Sequence, residues 1–345
     1  MIPIQNIYYM LSYAFQVLNE QGYKNIATEQ FNNTGELMAA ILEKGIAIQL
    51  KRGLGKEYIL QTEALSSLRG KIDIAESIKT QSMLRKQLIC TYDEFSVNSI
   101  MNRIIKSTVE LLLRSNISKQ RKKNLRKLMV YFSEVDFIDL YTVNWNVQYN
   151  RNNQTYRMLI SICYLVVKGL LQTQSNGHTK LMDFLDEQRM CRLYEKFILE
   201  YYRREFKNQI TANTSQIPWQ LDDEENSMLP VMQSDIMLQS GEKVLIIDAK
   251  YYEHSTQVQF DKHTLHSGNL YQIFTYVKNK EYEMREKDHT VSGMLLYAKT
   301  DEEIYPNNVY QMSGNQITVR TLDLKLPFDE IAGQLNTIAK THFDL

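Results

Sequence analysis

The chain has 345 residues, with 40 Lys plus Arg against 40 Asp plus Glu, 43% hydrophobic and 23% charged side chains, and only 5 prolines. That length holds two domains of ordinary size, and the composition excludes a disordered or collagen-like chain and Pro-rich linkers. A neutral sum excludes a strongly basic nucleic-acid coat. It leaves room for an enzyme whose acidic centre cancels its basic surfaces, with a partner supplying much of any DNA affinity.

Along the chain, Ile4, Ile7, Tyr8, Leu11, Phe15 and Leu18 follow the i, i+3, i+4 spacing of an amphipathic helix, expected to pack on its own domain. A second helix is expected over 36–50, running into KRGLGKEY (Lys51–Tyr58), whose glycines and basic residues predict an exposed turn. This turn lacks the G-x-x-x-x-G-K-[ST] spacing, so no nucleotide is expected to bind there. Segments 57–64 and 70–76 read as strands, making a small strand-rich projection over about 50–95.

Ser99–Arg114 and 117–132 read as helices, the latter carrying SKQRKKNLRK, taken as a solvated face rather than a phosphate or acidic-partner contact. RNNQ (Arg151–Gln154) predicts a hinge. The helix from Tyr156 to Leu171, apolar nearly all round, should be buried. The expected domains are therefore 1–150 and 151–345. In the second, a helix over 187–207 precedes an acidic loop (Leu221–Ser227) and a strand over 233–239. A turn at Ser240–Gly241 and a strand Lys243–Ala249 come next, then a helix over 268–279 and strands at Ser292–Ala298 and 316–322. That order predicts an α/β (mixed) fold with a mixed sheet flanked by helices.

Cys90, Cys163 and Cys191 contain no CxxC pair, so neither a zinc knuckle nor an iron–sulfur cluster is expected, and their odd number suits a reducing cytoplasm. MIPIQNIYYM has no basic stretch before an apolar core, so no signal peptide is expected. The longest apolar run, Met158 to Val167, is far short of a bilayer span.

The chemistry concentrates in SDIMLQSGEKVLIIDAKYY (Ser234–Tyr252). Asp235 opens one strand; Asp248 and Lys250 end the next and point the same way, because side chains alternate along a strand. A hairpin at Ser240–Gly241 brings Asp235 beside Asp248. Two adjacent carboxylates repel unless a cation lies between them, and hard oxygens suit Mg²⁺, with Mn²⁺ as substitute. The expected metal donors are Asp235, Asp248 and the backbone carbonyl of Ala249, with Lys250 orienting or helping deprotonate the attacking water and screening charge. Gln272 and Tyr276 form Q-x-x-x-Y on one face of the next helix, making Gln272 a supporting candidate. Glu195, with Glu200 as rival, is a candidate extra carboxylate on the preceding helix. This D-x₁₂-D-A-K arrangement reads as a PD-(D/E)xK nuclease. Gln233-Ser234 stand where the usual label has proline, and Pro230 lies earlier.

IPIQNIYYMLSYAF, LRGKIDIAESI (Leu68–Ile78), NRIIKSTVELL (Asn102–Leu112), the run Met228–Tyr252 and NLYQIFTY (Asn269–Tyr276), in this order, resemble the McrC family over nearly the whole chain. The resemblance implies the endonuclease subunit of a methylcytosine-dependent restriction complex. It implies a partner, a McrB-like AAA+ GTPase hexamer that reads methylated double-stranded DNA, and whose GTPase this chain stimulates while binding no GTP itself. It also implies that 1–150 docks on that partner through the projection, with Lys51, Arg52, Arg69 and Lys71 as candidate contacts. The competing readings are a stand-alone DNA nuclease and a non-catalytic adaptor that activates a GTPase.

Overall fold

The computed structural model describes residues 2–15, 31–150, 155–175, 187–223, 228–252, 257–259, 262–299 and 305–345, with isolated positions 18, 23, 26, 29 and 153. Of the hinge expected at 151–154 only Asn153 is described, and part of the acidic loop falls outside the described residues. Two compact units emerge: 1–20 together with 185–345, and 21–184. The division is not the one expected near residue 150.

The first helix, α1 (Ile4–Ala14), is the clearest departure. It is shorter than the expected 4–18 and packs on elements from the second half of the chain. Tyr9 stacks on Phe328 with ring centroids 4.5 Å apart, and Tyr13 meets Phe197 and Tyr201. Asn6, 4% exposed, donates through Nδ2 to the carbonyls of Leu324 and Leu326, each at 2.8 Å. Its apolar face is thus spent on the far end of the chain.

The unit 21–184 holds α2 (Thr34–Arg52), a three-stranded sheet, and further helices. Asn33 caps α2 by accepting from the Glu36 N–H. Strand β1 (Glu57–Leu65) is followed by β2 (Lys71–Asp73), which is shorter than the expected strand. The reason is local: the Asp73 side chain accepts from the Glu76 N–H, a cap that starts α3 (Ile74–Lys79). Strand β3 (Leu88–Ser96) joins β1 and β2 antiparallel on either side and is absent from the sequence expectations.

Helices α4 (Ile100–Arg114) and α5 (Lys119–Met129) fall close to where the periodicity puts them, each capped by a serine, Ser99 and Ser118. Within the basic run, Arg121 turns inward onto Glu29, Glu36 and Glu43, whereas Lys119, Lys123, Arg126 and Lys127 are exposed. Helix α6 (Tyr156–Ser175) sends the Tyr156 hydroxyl to the base of the sheet. It accepts from the Gly55 N–H at 2.7 Å and donates to Asn102 Oδ1 at 2.7 Å. Asn102 Nδ2 in turn donates to the carbonyls of Gly55 and Val97.

The other unit is built on a six-stranded sheet. Helix α7 (Glu187–Glu205) leads into β4 (Thr211–Asn213), and a small arm of β5 (Gln216–Ile217) and β6 (Met232–Gln233) precedes β7 (Ile236–Ser240). A hairpin turn with Gly241 at φ 58° leads into β8 (Lys243–Lys250), where glycine takes the left-handed conformation without strain. After the short pair β9 (Gln257–Gln259) and β10 (Lys262–Thr264) come α8 (Ser267–Glu283) and β11 (Thr290–Ala298). The chain continues through β12 (Asn308–Met312) and β13 (Asn315–Leu322) to α9 (Phe328–Phe343). The sheet order is β12-β13-β11-β8-β7-β4, with β11 parallel to both β8 and β13 and the remaining pairs antiparallel. The expected mixed α/β fold is therefore observed.

Val244 and Ile246 of β8, Leu295 of β11 and Ile317 and Val319 of β13 share a core with Ile273 and Val277 of α8. Gly293 is part of this contact: a Cβ there would come within 2.8–2.9 Å of Ile273, Ile317 and Val277 at once, so its absence lets α8 sit close on the sheet. On α7, Tyr202 is fully buried and donates to the Leu335 carbonyl of α9. Among the described residues, no helix is long and apolar enough to cross a membrane.

Candidate active site at the end of the central strand

Strand β8 is apolar and buried from Val244 to Ile247 and then presents Asp248, itself 1% exposed. The hairpin register pairs Ile236 with Ile247, which sets Asp235 opposite Asp248, as the sequence predicts. Asp235 lies just before β7 rather than in it, and its Oδ2 accepts from the Ala249 N–H at 3.0 Å. Lys250 Nζ lies 2.9 Å from Asp248 Oδ2. The contact is an ion pair without hydrogen-bond alignment, and that buried oxygen has no hydrogen-bond partner.

Burial pushes the Asp248 carboxyl up to about 7; Lys250 pulls it down, but Asp235, hydrogen-bonded to it, adds to the rise. Burial also works against the Lys250 ammonium, yet Asp248 and Asp235 win and hold its pKa above the ordinary lysine value. Lys250 is thus held in its charged form beside the two carboxylates.

Lys250 Nζ also donates to Gln272 Oε1 at 3.4 Å, and Gln272 Nε2 donates to the Tyr276 hydroxyl at 2.9 Å. The Q-x-x-x-Y pair thus forms one hydrogen-bonded chain with the lysine. Asn269, from the same motif, is buried and donates to the Tyr297 hydroxyl at 2.9 Å.

The two glutamates separate. Glu200 pairs with Arg203 at 2.7 Å. Glu195 is raised by burial, held back by a hydrogen bond from Cys191, and raised further by Asp235, so it belongs to the same electrostatic field as the site. Cys191 donates to Glu195 Oε1 at 3.0 Å and lies 3.8 Å from the Ala249 carbonyl. Burial, with Glu195, pushes its thiol up to about 12, so it acts as a neutral donor. The sequence reading missed Cys191; its place four residues before Glu195 on one helix face was the available signal.

Among the described residues no three His, Cys, Asp or Glu side chains gather as a metal site. Two carboxylates and a backbone carbonyl remain, all hard oxygens, with the Asp248 carboxylate buried and offset by the single ammonium of Lys250. That donor set fits a hard divalent cation that keeps several waters.

Of the basic residues expected to meet a partner, Lys51 and Arg52 end α2, while Lys71 opens β2 and Arg69 lies in the turn before it. All four are exposed, and the Arg69 guanidinium lies 4.2 Å from the Tyr92 ring centroid.

A family model described as McrBC 5-methylcytosine restriction system component matches residues 5–298. The chain belongs to the McrBC family. It is 30% identical over 329 residues to the type IV methyl-directed restriction enzyme EcoKMcrBC of Escherichia coli (strain K12), covering 94% of this chain and 93% of that protein. Among solved structures, it is similar to the refined half-complex of a tetradecameric assembly of Thermococcus gammatolerans McrB AAA+ hexamers with bound McrC. There the TM-score is 0.48 at 18% identity, over 97% of this chain and 76% of that one. A cryo-EM structure of the Thermococcus gammatolerans McrBC complex gives a TM-score of 0.42 at 21% identity, over 59% of each chain. The McrBC model thus spans α1, the projection and the β7–β8 hairpin alike, so the membership rests on both units.

Proposed function

We propose that the chain is the endonuclease subunit of a McrBC-type complex, cutting methylated double-stranded DNA with a Mg²⁺-dependent PD-(D/E)xK site, Mn²⁺ substituting. The observation that carries this reading is Asp248, a carboxylate buried at the end of an apolar strand, ion-paired with Lys250 and set against Asp235. Asp235, Asp248 and the Ala249 carbonyl would hold the cation. When bound, the ion polarises the scissile phosphate and makes water a stronger acid. Lys250 stabilises the charge that builds on the phosphate, and Gln272, braced by Tyr276, fixes where Lys250 points. Glu195, held by Cys191, tunes the field around Asp235.

The partner in this reading is a McrB-like AAA+ GTPase hexamer, engaged through the 21–184 unit and its projection and stimulated by it, with GTP bound only by the partner. Tyr58, Leu60 and Leu84 of the projection are 74%, 67% and 81% exposed, which supports a docking role over an isolated one. The test is cleavage of methylated plasmid with Mg²⁺, by the chain alone and with the partner plus GTP. Cutting only with partner and GTP is the expected result. Cutting by the chain alone makes it a stand-alone nuclease; stimulation of GTP hydrolysis with no cutting makes it an adaptor.

The glutamates give a finer test. Glu195→Gln is expected to lower the cleavage rate by about 10- to 100-fold, in the range seen for groups that support metal ligands. Glu200→Gln, whose partner is Arg203, should leave it within about twofold. Equal effects from the two would remove Glu195 from the site.

A further inference from the structure

We propose that the sheet carries a second ligand site, a cavity that binds a phosphate group on the face and at the end opposite to Asp248. The cavity is about 510 Å³ and lies among β8, β11, β13 and the last turn of α9. Lys243 and Leu245 of β8 line it, whereas Val244 and Ile246 of the same strand pack toward α8. Side chains alternate along a strand, so Asp248 and Lys250 share the α8 face while the cavity lies on the other, and Asp248 is five residues beyond Lys243, roughly 16 Å along the strand. The proposal therefore stands apart from the cleavage reading.

Its walls ask for an oxyanion. Arg320, half-buried on β13, makes no hydrogen bond or ion pair among the described residues. A guanidinium on the cavity wall without such a partner is available to an anion. His342 contacts the Val244 backbone through its ring, and its Nε2 is buried with no hydrogen-bond partner. Ser292 and Thr318, 3% and 6% exposed, add hydroxyls from β11 and β13.

The acids on the lining are already engaged. Glu281 is paired with Lys278 and receives Asn315 Nδ2 at 2.8 Å; Asp344 is paired with Lys243. Asp344 is 77% exposed, just past the end of α9, so Lys243 can exchange it for a ligand oxygen. The carbonyl end of α9 opposes an anion with about half a charge, which the full charge of Arg320 exceeds. Arginine offers a paired set of donors to phosphate, and lysine and hydroxyls complete a tetrahedral group. The volume exceeds that of a bare phosphate and suits a phosphoryl group on a larger molecule.

The test is calorimetric titration of the full chain in EDTA with inorganic phosphate, GMP and a short DNA duplex. Binding of GMP and phosphate, weakened at least about tenfold by Arg320→Gln and unchanged by Asp248→Asn, is the expected result. Binding of the duplex alone, weakened by Arg320→Gln, places the phosphate on a DNA backbone instead. The His342 ring resonances of the unmodified chain should also shift as GMP or phosphate is added, a readout independent of how the variant folds. Equal affinities for wild type and Arg320→Gln, or no binding and no His342 shift with any of the three, would overturn the proposal.

Discussion

Asp248→Asn is expected to abolish cleavage and, in the same protein, to raise thermal stability. The loss should be on the order of 10³-fold or more, because a cation donor and the partner of Lys250 go together. The gain follows from linkage. The folded-state pKa of Asp248, about 7, lies above its unfolded value, so the folded chain binds this proton more tightly. This group's contribution to stability is therefore lost as pH rises from about 4 to about 7, and above that the buried charge is opposed in full. The attraction of Lys250 is already contained in that balance.

Asparagine, isosteric with the protonated acid, is neutral throughout. In EDTA at pH 8 the variant should melt roughly 2–8 °C above wild type, and the difference should vanish near pH 4. Adding Mg²⁺ should raise the midpoint of wild type only. Thermal melts at both pH values check this. A variant that melts at or below wild type at pH 8 would show that the buried charge is not the source of strain.

Asn102→Ala should be the most damaging single change away from the site. Its amide bridges the carbonyls of Gly55 and Val97 and accepts from the Tyr156 hydroxyl, in a fully buried position. Truncation strands three partners at the base of the projection, at a cost of roughly 2–4 kcal/mol, or a drop in midpoint of roughly 4–12 °C. Tyr156→Phe removes the same hydroxyl bond from the other side and should cost less, about 1–3 kcal/mol. If the groups form one network, the double variant loses less than the two single losses combined. Strict additivity in denaturant melts would mean they act separately.

What the sequence disclosed depended on how local the physics is. VLIIDAK could be read because an apolar run that ends in Asp and Lys is costly without a use. The Ser240–Gly241 turn then fixed the partner strand and so the place of Asp235. The rivalry of Glu195 and Glu200 could not be settled that way; it turned on Arg203 and Cys191, which only packing reveals. Strand β3 escaped because its residue types hide the alternation its burial has: Cys90 and Tyr92 are buried on one face, but Glu94 follows them there while the exposed Phe95 stands on the other. Helix α9 did carry a signal: Ile331, Leu335, Ile338 and Ala339 follow helical spacing behind Pro327, with Asp329 and Glu330 in the first turn. The division of the chain had no local mark at all, because stacking of Tyr9 on Phe328 cannot be anticipated from either segment.

That stacking has a consequence for the order in which the protein is made. Asn6 and the Leu324 carbonyl it binds are 318 positions apart. At a ribosomal rate of about 5–20 residues per second, α1 waits roughly 15–60 s for the surface it packs on. The 21–184 segment, a compact unit by itself, can fold during that interval. The unit built on the six-stranded sheet closes only after synthesis has passed α9, so α1 is an apolar helix that must be kept from misassociating through nearly all of translation.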